Sequence, residues 1–402
     1  MVIAFSSAWK HGALPALLIA ASLGAVTDAR SAEHSHTEGT SGPSVVSLDV
    51  YATGETIDLL TGETAGANGA PALWYRRSTD GGKSWSSPVR VGEGMPVPHQ
   101  PHRSNDPQVA SNAKQVVAVW ASAGRGFRSS GAMVTALSND GGRTWKRGPN
   151  PADDERNDGH GFADLMAREG RFHLAWLDSR NGSQGVRYAR SADGGASWSP
   201  NLSVQSQSCE CCWNTLLPGS DRALYLLYRG KGPRDMGLAV SRDDGAKWAR
   251  MGAVGAFNWQ IDACPHTGGA LALTGKGAAE RLNALVWTGK PEERGVHYLA
   301  SRDGGATWTP GVRLGGEYGQ RADLVARGTE LVAVWDETVG QHGAVFLSRS
   351  KDHGAQWTKP MRLSGEGLSA IYPRVVATPS NLLVLWTEAS GNESRLRMVL
   401  MK

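Results

Sequence analysis

One eight-residue pattern occurs six times along the chain and restricts its fold more than any other feature. It reads "STDGGKSW" from Ser78, "SNDGGRTW" from Ser138, "SADGGASW" from Ser191, "SRDDGAKW" from Ser241, "SRDGGATW" from Ser301 and "SKDHGAQW" from Ser350. Successive starts lie 60, 53, 50, 60 and 49 residues apart. A period of that size with strand-like flanks is the mark of a propeller or a solenoid. The flanks are strand-like. Each pattern follows a β-rich run such as "GVRYARSADGG", and an earlier run ends in an aromatic, at Trp120, Trp176, Tyr228, Trp287, Trp335 and Trp386. A third run precedes these, as in "DPQVA" and "RADLVA", and a short fourth follows the pattern, as in "SSPVRVG". Four short strands per repeat make a propeller blade, so the expected fold class is an all-β propeller of four-stranded blades.

The pattern has a physical logic. Its Asp and paired glycines suit a tight turn between the third and fourth strands, Gly permitting φ > 0 and Asp accepting from nearby backbone N–H groups. Its Trp is expected to plug the gap between neighbouring sheets. Eleven of the 15 tryptophans fall at the two repeated aromatic positions, which makes them core and not a ligand platform. Asp80, Asp140, Asp193, Asp243, Asp303 and Asp352 are read as turn formers on the same ground.

The S-x-D-x-G-x-x-W pattern resembles the Asp box, or bacterial neuraminidase repeat, of the sialidase superfamily. That resemblance spans nearly the whole chain after its N-terminus and implies a propeller; it says less about activity, since one fold hosts many functions. Six boxes suggest six blades. The C-terminal "IYPRVVATPSNLLVLWTEASGNESRLRMVLMK" supplies three more strands without a box, which an N-terminal strand such as "VVSLDVY" would complete into a seventh. Seven blades are expected, with six as the alternative.

The N-terminus reads as a secretory signal over residues 1–32: a basic Lys10, an apolar run from about Gly12 to Val26, and small residues around Ala29 to Ala32. The run is roughly 15 residues, short of the ~20 that span a bilayer. Residues 33–44 are expected to be a flexible tail and 45–402 a single propeller domain. The expectation is export to a periplasmic or extracellular space, with no membrane span in the mature chain. Removing the leader leaves a net charge of about +3 without basic runs, which argues against nucleic acid as a partner.

A propeller places function at the mouth of its axial channel, where the loops before the innermost strands converge. In this chain those segments are "PHQPHRSNDPQ", "NDGHGFADL", "SCECCWNT", "NWQIDACPHTGG", "GGEYGQRADL" and "LSAIYPRVV". The sialidase resemblance implies three arginines that clamp a carboxylate, an Asp acid/base and a Tyr nucleophile paired with Glu. The positions that match in kind are Arg103, Arg321 and Arg374, then Asp106, then Tyr372 or Tyr318, with Glu317 or Glu337 as partner. Bidentate guanidinium contacts suit a carboxylate. The Phe/Tyr-Arg-Ile-Pro phrase of that family is missing, and the same arginines could instead pair with Asp106, Asp164 and Asp323. The implied function is recognition, extending to hydrolysis, of an acidic glycan or small acidic ligand, without a cofactor.

The cysteines support a different reading. Three of four stand in "CECC", as Cys209, Cys211 and Cys212, and the fourth is Cys264, two residues before His266. These segments open the inner strands of consecutive blades, so the fold is expected to bring them together. Export favours a disulfide, from Cys264 to one of the three. The alternative is a site for a soft ion such as copper, formed by the four thiolates with His266, in a non-hydrolytic protein of metal or thiol redox chemistry.

Overall fold

The structure is a computed structural model that describes residues 44–64, 69, 71–99, 103–124, 130–154, 159–391 and 393–402. The expected leader, nearly all of the expected tail, and His102 lie outside the described residues. The chain divides into two units, Met1–Glu33 and His34–Lys402, and the second holds every described residue.

Seven antiparallel sheets follow one another in sequence: residues 44–91, 108–147, 160–205, 215–253, 270–314, 319–362 and 369–401, termed blades one to seven. Six have four strands in sequence order and the last has three. The first strands of successive blades touch in order around a ring, and Ser369–Ala377 of blade seven meets Ser44–Thr53 of blade one. This is a seven-bladed β-propeller with each first strand beside the axis. "VVSLDVY" departs from expectation. It lies in Ser44–Thr53, the innermost strand of blade one, and does not add a fourth strand to blade seven. The ring closes instead through packing of Leu48, Val50, Ile57 and Leu59 against Leu383 and Leu385. A bond from the Ser394 amide to Ser44 Oγ (2.7 Å) and one from Asn381 Nδ2 to the Gly81 carbonyl (3.1 Å) add to it.

The repeated boxes are the turns between third and fourth strands. In the first, Ser78 Oγ donates to Asp80 Oδ1 (2.8 Å) and accepts from the Gly82 amide (2.8 Å), while Asp80 Oδ1 accepts from the Ser84 amide (2.9 Å). The Ser-to-Asp and Gly-to-Ser bonds recur in the other five boxes. Three box tryptophans pack edge-on against a tyrosine of the preceding blade, at ring separations of 5.2 Å for Trp145 on Tyr75 and 5.0 Å for Trp248 on Tyr188 and Trp357 on Tyr298. They fill the seam between sheets, as their spacing predicts.

Near the axis, carboxylates link one blade to the next. Asp49 of blade one accepts from the Val109 amide of blade two (2.8 Å), Asp164 of blade three from Leu216 of blade four, and Asp323 of blade six from Val375 of blade seven (2.9 Å). Arg374, immediately before Val375, reaches forward to Asp49 (3.2 Å) and backward to Asp323 (3.6 Å). It bridges blades six, seven and one.

Candidate functional site

Three innermost strands carry a bulge at matching places, and a bulge re-aims the side chains it carries, here two toward the axial mouth and one toward the hollow beside it. The irregularities fall between Ala175 and Leu177 on the partner of His160–Arg168, between Gln320 and Asp323, and between Ile371 and Arg374. At each stands a residue with left-handed backbone: Phe162 (φ 51°), Arg321 (φ 26°) and Tyr372 (φ 53°). Such conformations are rare for large side chains and concentrate where a site over-determines them.

Arg103, Asp106, Arg321, Tyr372 and Arg374 all line one cavity, together with Asn105, Asp164, Trp213 and Asn214. The five residues singled out in the sequence are therefore brought together. Their hydrogen bonds separate them. Arg103 is buried and engaged: Nη1 donates to the Leu48 carbonyl (2.8 Å) and Asp106 Oδ2 (2.7 Å), and Nη2 to the Tyr372 carbonyl (2.6 Å). The second Asp106 oxygen accepts from the Leu48 amide (2.9 Å). This pair holds the mouth together. Arg321 spends Nε on Asp336 (2.9 Å), lies 4.4 Å from the Tyr372 ring centroid with a polar contact to that side chain, and keeps Nη donors beyond these among the described residues. Arg374 uses Nη2 on Asp49 and leaves Nη1 without a bond among them. Trp213 stands 6.3 Å from Tyr372, so two aromatic rings border the two available guanidiniums.

Of the expected ion pairs, Arg103 with Asp106 and Arg374 with Asp323 are present; Asp164 pairs with neither and instead latches Leu216. Tyr318 and Glu317 are exposed and Glu337 bonds the Gly316 amide (3.0 Å); none lines the cavity. Burial pushes the Asp164 carboxyl up to about 6, against the Leu216 amide and Arg374, and burial likewise raises Asp49 to about 7 against the pull of Arg374. Asp164 is a site residue for which sequence reading proposed only an ion pair. Its signal was its place in "FADL", matching Asp323 in "RADL".

The axial cavity itself is narrow, with a volume of about 30 Å³, room for one or two waters. Beside it, sharing Asn105, lies a broader hollow of about 510 Å³ bordered by Ser130, His160, Phe162, Gln184, Glu210 and His266. His160 is buried at its edge, Nε2 lying 3.2 Å from Asp154 and Nδ1 3.1 Å from the Gly131 carbonyl.

The two cysteine-bearing segments reach this hollow through Glu210 and His266. Cys209, Cys211 and Cys212 are buried, with Sγ atoms 3.4, 3.6 and 4.0 Å apart. Cys264 is exposed, and its Sγ, that of Cys211 and a ring nitrogen of His266 lie within 4.8 Å of one another. The segments meet as expected, but all four cysteines are free, so the expected bridge from Cys264 is not formed. Bonds from Cys211 and Cys212 hold the Cys209 thiol far below the usual range, while the same contacts push Cys211 up and burial pushes Cys212 up.

Residues 60–384 match the BNR repeat-like domain family. A sialidase from Bacteroides fragilis (strain YCH46) is 24% identical over 274 residues, which are 59% of this chain and 48% of that protein. The chain thus spans about half the length of this curated relative. Among solved structures, an ulvan lyase bound to a GlcA(1-4)Rha3S unit superposes with a TM-score of 0.60 at 10% identity, covering 91% of this chain and 96% of that one. A protein of unknown function from Dyadobacter fermentans superposes with a TM-score of 0.50 at 14% identity, covering 74% and 94%. These likenesses are of fold.

Proposed function

The chain belongs to the BNR repeat-like domain family, and from that premise we propose that it recognises a carboxylated glycan at the axial mouth. The observation that carries this reading is the pair Arg321 and Arg374, each with Nη donors left over after its structural ion pair, set beside Tyr372 and Trp213. Two guanidiniums offer planar, charge-assisted bonds to a carboxylate, and aromatic faces suit the apolar side of a sugar ring. The adjoining hollow of about 510 Å³ has room for the rest of a disaccharide. The sialidase relative and the ulvan lyase, whose bound unit contains GlcA, support an acidic sugar as the ligand class.

Hydrolysis has less support than recognition. Arg103 and Asp106 are bonded to each other and to backbone, and no Glu lines the cavity beside Tyr372 among the described residues. We also place the working chain outside the cytoplasm on its N-terminal sequence alone, which N-terminal sequencing of exported protein would check. The test of the site is calorimetric titration with sialyl and glucuronyl oligosaccharides against neutral ones. Binding of an acidic sugar should weaken at least about tenfold in Arg321→Gln, the loss of one charge-assisted contact. Equal binding of neutral sugars, or an unaffected variant, sinks the proposal. Release from a fluorogenic sialoside that Tyr372→Phe abolishes would move the reading to hydrolysis.

A further inference from the structure

The glycan reading leaves the buried thiols without a task. Three sulfurs at 3.4, 3.6 and 4.0 Å form a near-equilateral triangle, and the point equidistant from them lies about 2.1 Å from each. That is close to the ~2.3 Å of a metal–thiolate bond. No fourth His, Cys, Asp or Glu among the described residues comes within 4.8 Å of all three sulfurs. A structural zinc site, which takes four protein ligands, is therefore incomplete here, whereas a soft monovalent ion is content with three thiolates.

The surroundings are charged to match. Arg229 is 2% exposed and donates to three backbone carbonyls, those of Thr267 (2.8 Å), Arg234 and Trp287 (3.0 Å). It has no carboxylate within ion-pair distance among the described residues. A buried cation without a counter-charge is costly, and Cys212 lies close enough to feel it. Arg234, also buried, stands beside Cys209 and pairs with Glu210 (3.3 Å). Thiolates supply the negative charge that Arg229 lacks.

The cluster also has a way in. Cys211 belongs to both triads, the buried one and the one with exposed Cys264 and His266, and His266 and Glu210 border the open hollow. We propose that Cys209, Cys211 and Cys212 form a three-coordinate site for a soft monovalent metal ion such as Cu(I), loaded through Cys264 and His266. An entering ion meets the exposed pair first, passes to Cys211, and settles among three sulfurs, the displaced thiol protons leaving to solvent. No electron transfer is required. The ion arrives at the rim of the hollow that would hold the outer part of a glycan, so titration in the absence of sugar reads the metal site alone.

The test uses the full mature chain, reduced under anaerobic conditions and titrated with Cu(I) in the presence of a chromophoric Cu(I) chelator. One ion per chain should be withheld from the chelator, with an X-ray absorption signature of three sulfur neighbours. Cys209→Ser with Cys212→Ser should weaken retention at least about 100-fold. Cys264→Ala with His266→Ala alters only exposed side chains, and should slow uptake several-fold without changing the final ratio. Complete loss of copper to the chelator from the reduced wild-type protein overturns the site, as does retention of Zn(II) in its place. Unchanged uptake in the Cys264/His266 variant overturns the entry route.

Discussion

The glycine at the fifth place of each repeated turn answers to a neighbour as well as to its own backbone. A Cβ on Gly142 would fall 1.9 Å from the Tyr75 ring, on Gly245 1.8 Å from the Tyr188 hydroxyl, and on Gly354 1.9 Å from the Tyr298 hydroxyl. Each of those tyrosines belongs to the preceding blade and is the one that the box tryptophan packs against. The left-handed φ of +82° at Gly245 is thus half of the requirement and the close approach is the other half. Gly277 separates the two, having φ +55° and nothing within 4 Å of its added Cβ. Gly277→Ala should therefore cost about 1 kcal/mol of backbone strain, and Gly245→Ala distinctly more. Urea denaturation of the two variants measures the difference, and equal midpoints would refute the contact.

At the scale of the strand and blade, the missing seventh box has a simple cause. The box is the turn from a third strand to a fourth, and blade seven has three strands among the described residues, the third being Glu393–Met401, so no such turn occurs in it. Six blades were legible because that turn demands Ser, Asp, Gly and Trp at fixed places, and the seventh because its strands alternate apolar residues behind Trp386. The assignment of "VVSLDVY" failed because an inner strand and a closing outer strand share one apolar pattern; only contact with the neighbouring blade distinguishes them. The bulges were illegible for a related reason: Phe162, Arg321 and Tyr372 adopt left-handed backbone without the glycine that would announce it. The candidate site was legible as a set of residues on converging loops, while the division between occupied and available arginines was not, since it depends on distances. The seam where blade seven meets blade one joins the two ends of the ring through apolar packing. Leu383→Ala, at a position 2% exposed and facing blade one, should cost about 2–5 kcal/mol. Thermal or urea unfolding checks this, and a loss below about 1 kcal/mol would mean that the ring is closed by its hydrogen bonds.

The molecule as a whole concentrates carboxylates around its axis, and this sets its response to pH. Asp49 and Asp164, raised by burial from 3.8 to about 7 and about 6, bind protons more tightly folded than unfolded. Their contribution is full below about pH 4 and is lost as pH rises through 6 and 7. His173, held down to about 4 by burial beside Tyr188, works in the opposite sense and loses stability as pH falls from 6.5 toward 4. Asp164→Asn should flatten the decline above pH 5, a change read from urea midpoints across pH 4 to 8, and an unaltered slope would remove Asp164 from the account. The same carboxylates carry a further consequence. In each latch the donor is a main-chain amide, at Val109, Leu216 and Val375, which any residue but proline can provide. Only the carboxylate side of these three latches therefore constrains sequence. At these three seams the grip near the axis would survive replacement of the neighbour's side chain, while the tyrosine–tryptophan packing at two of them would not.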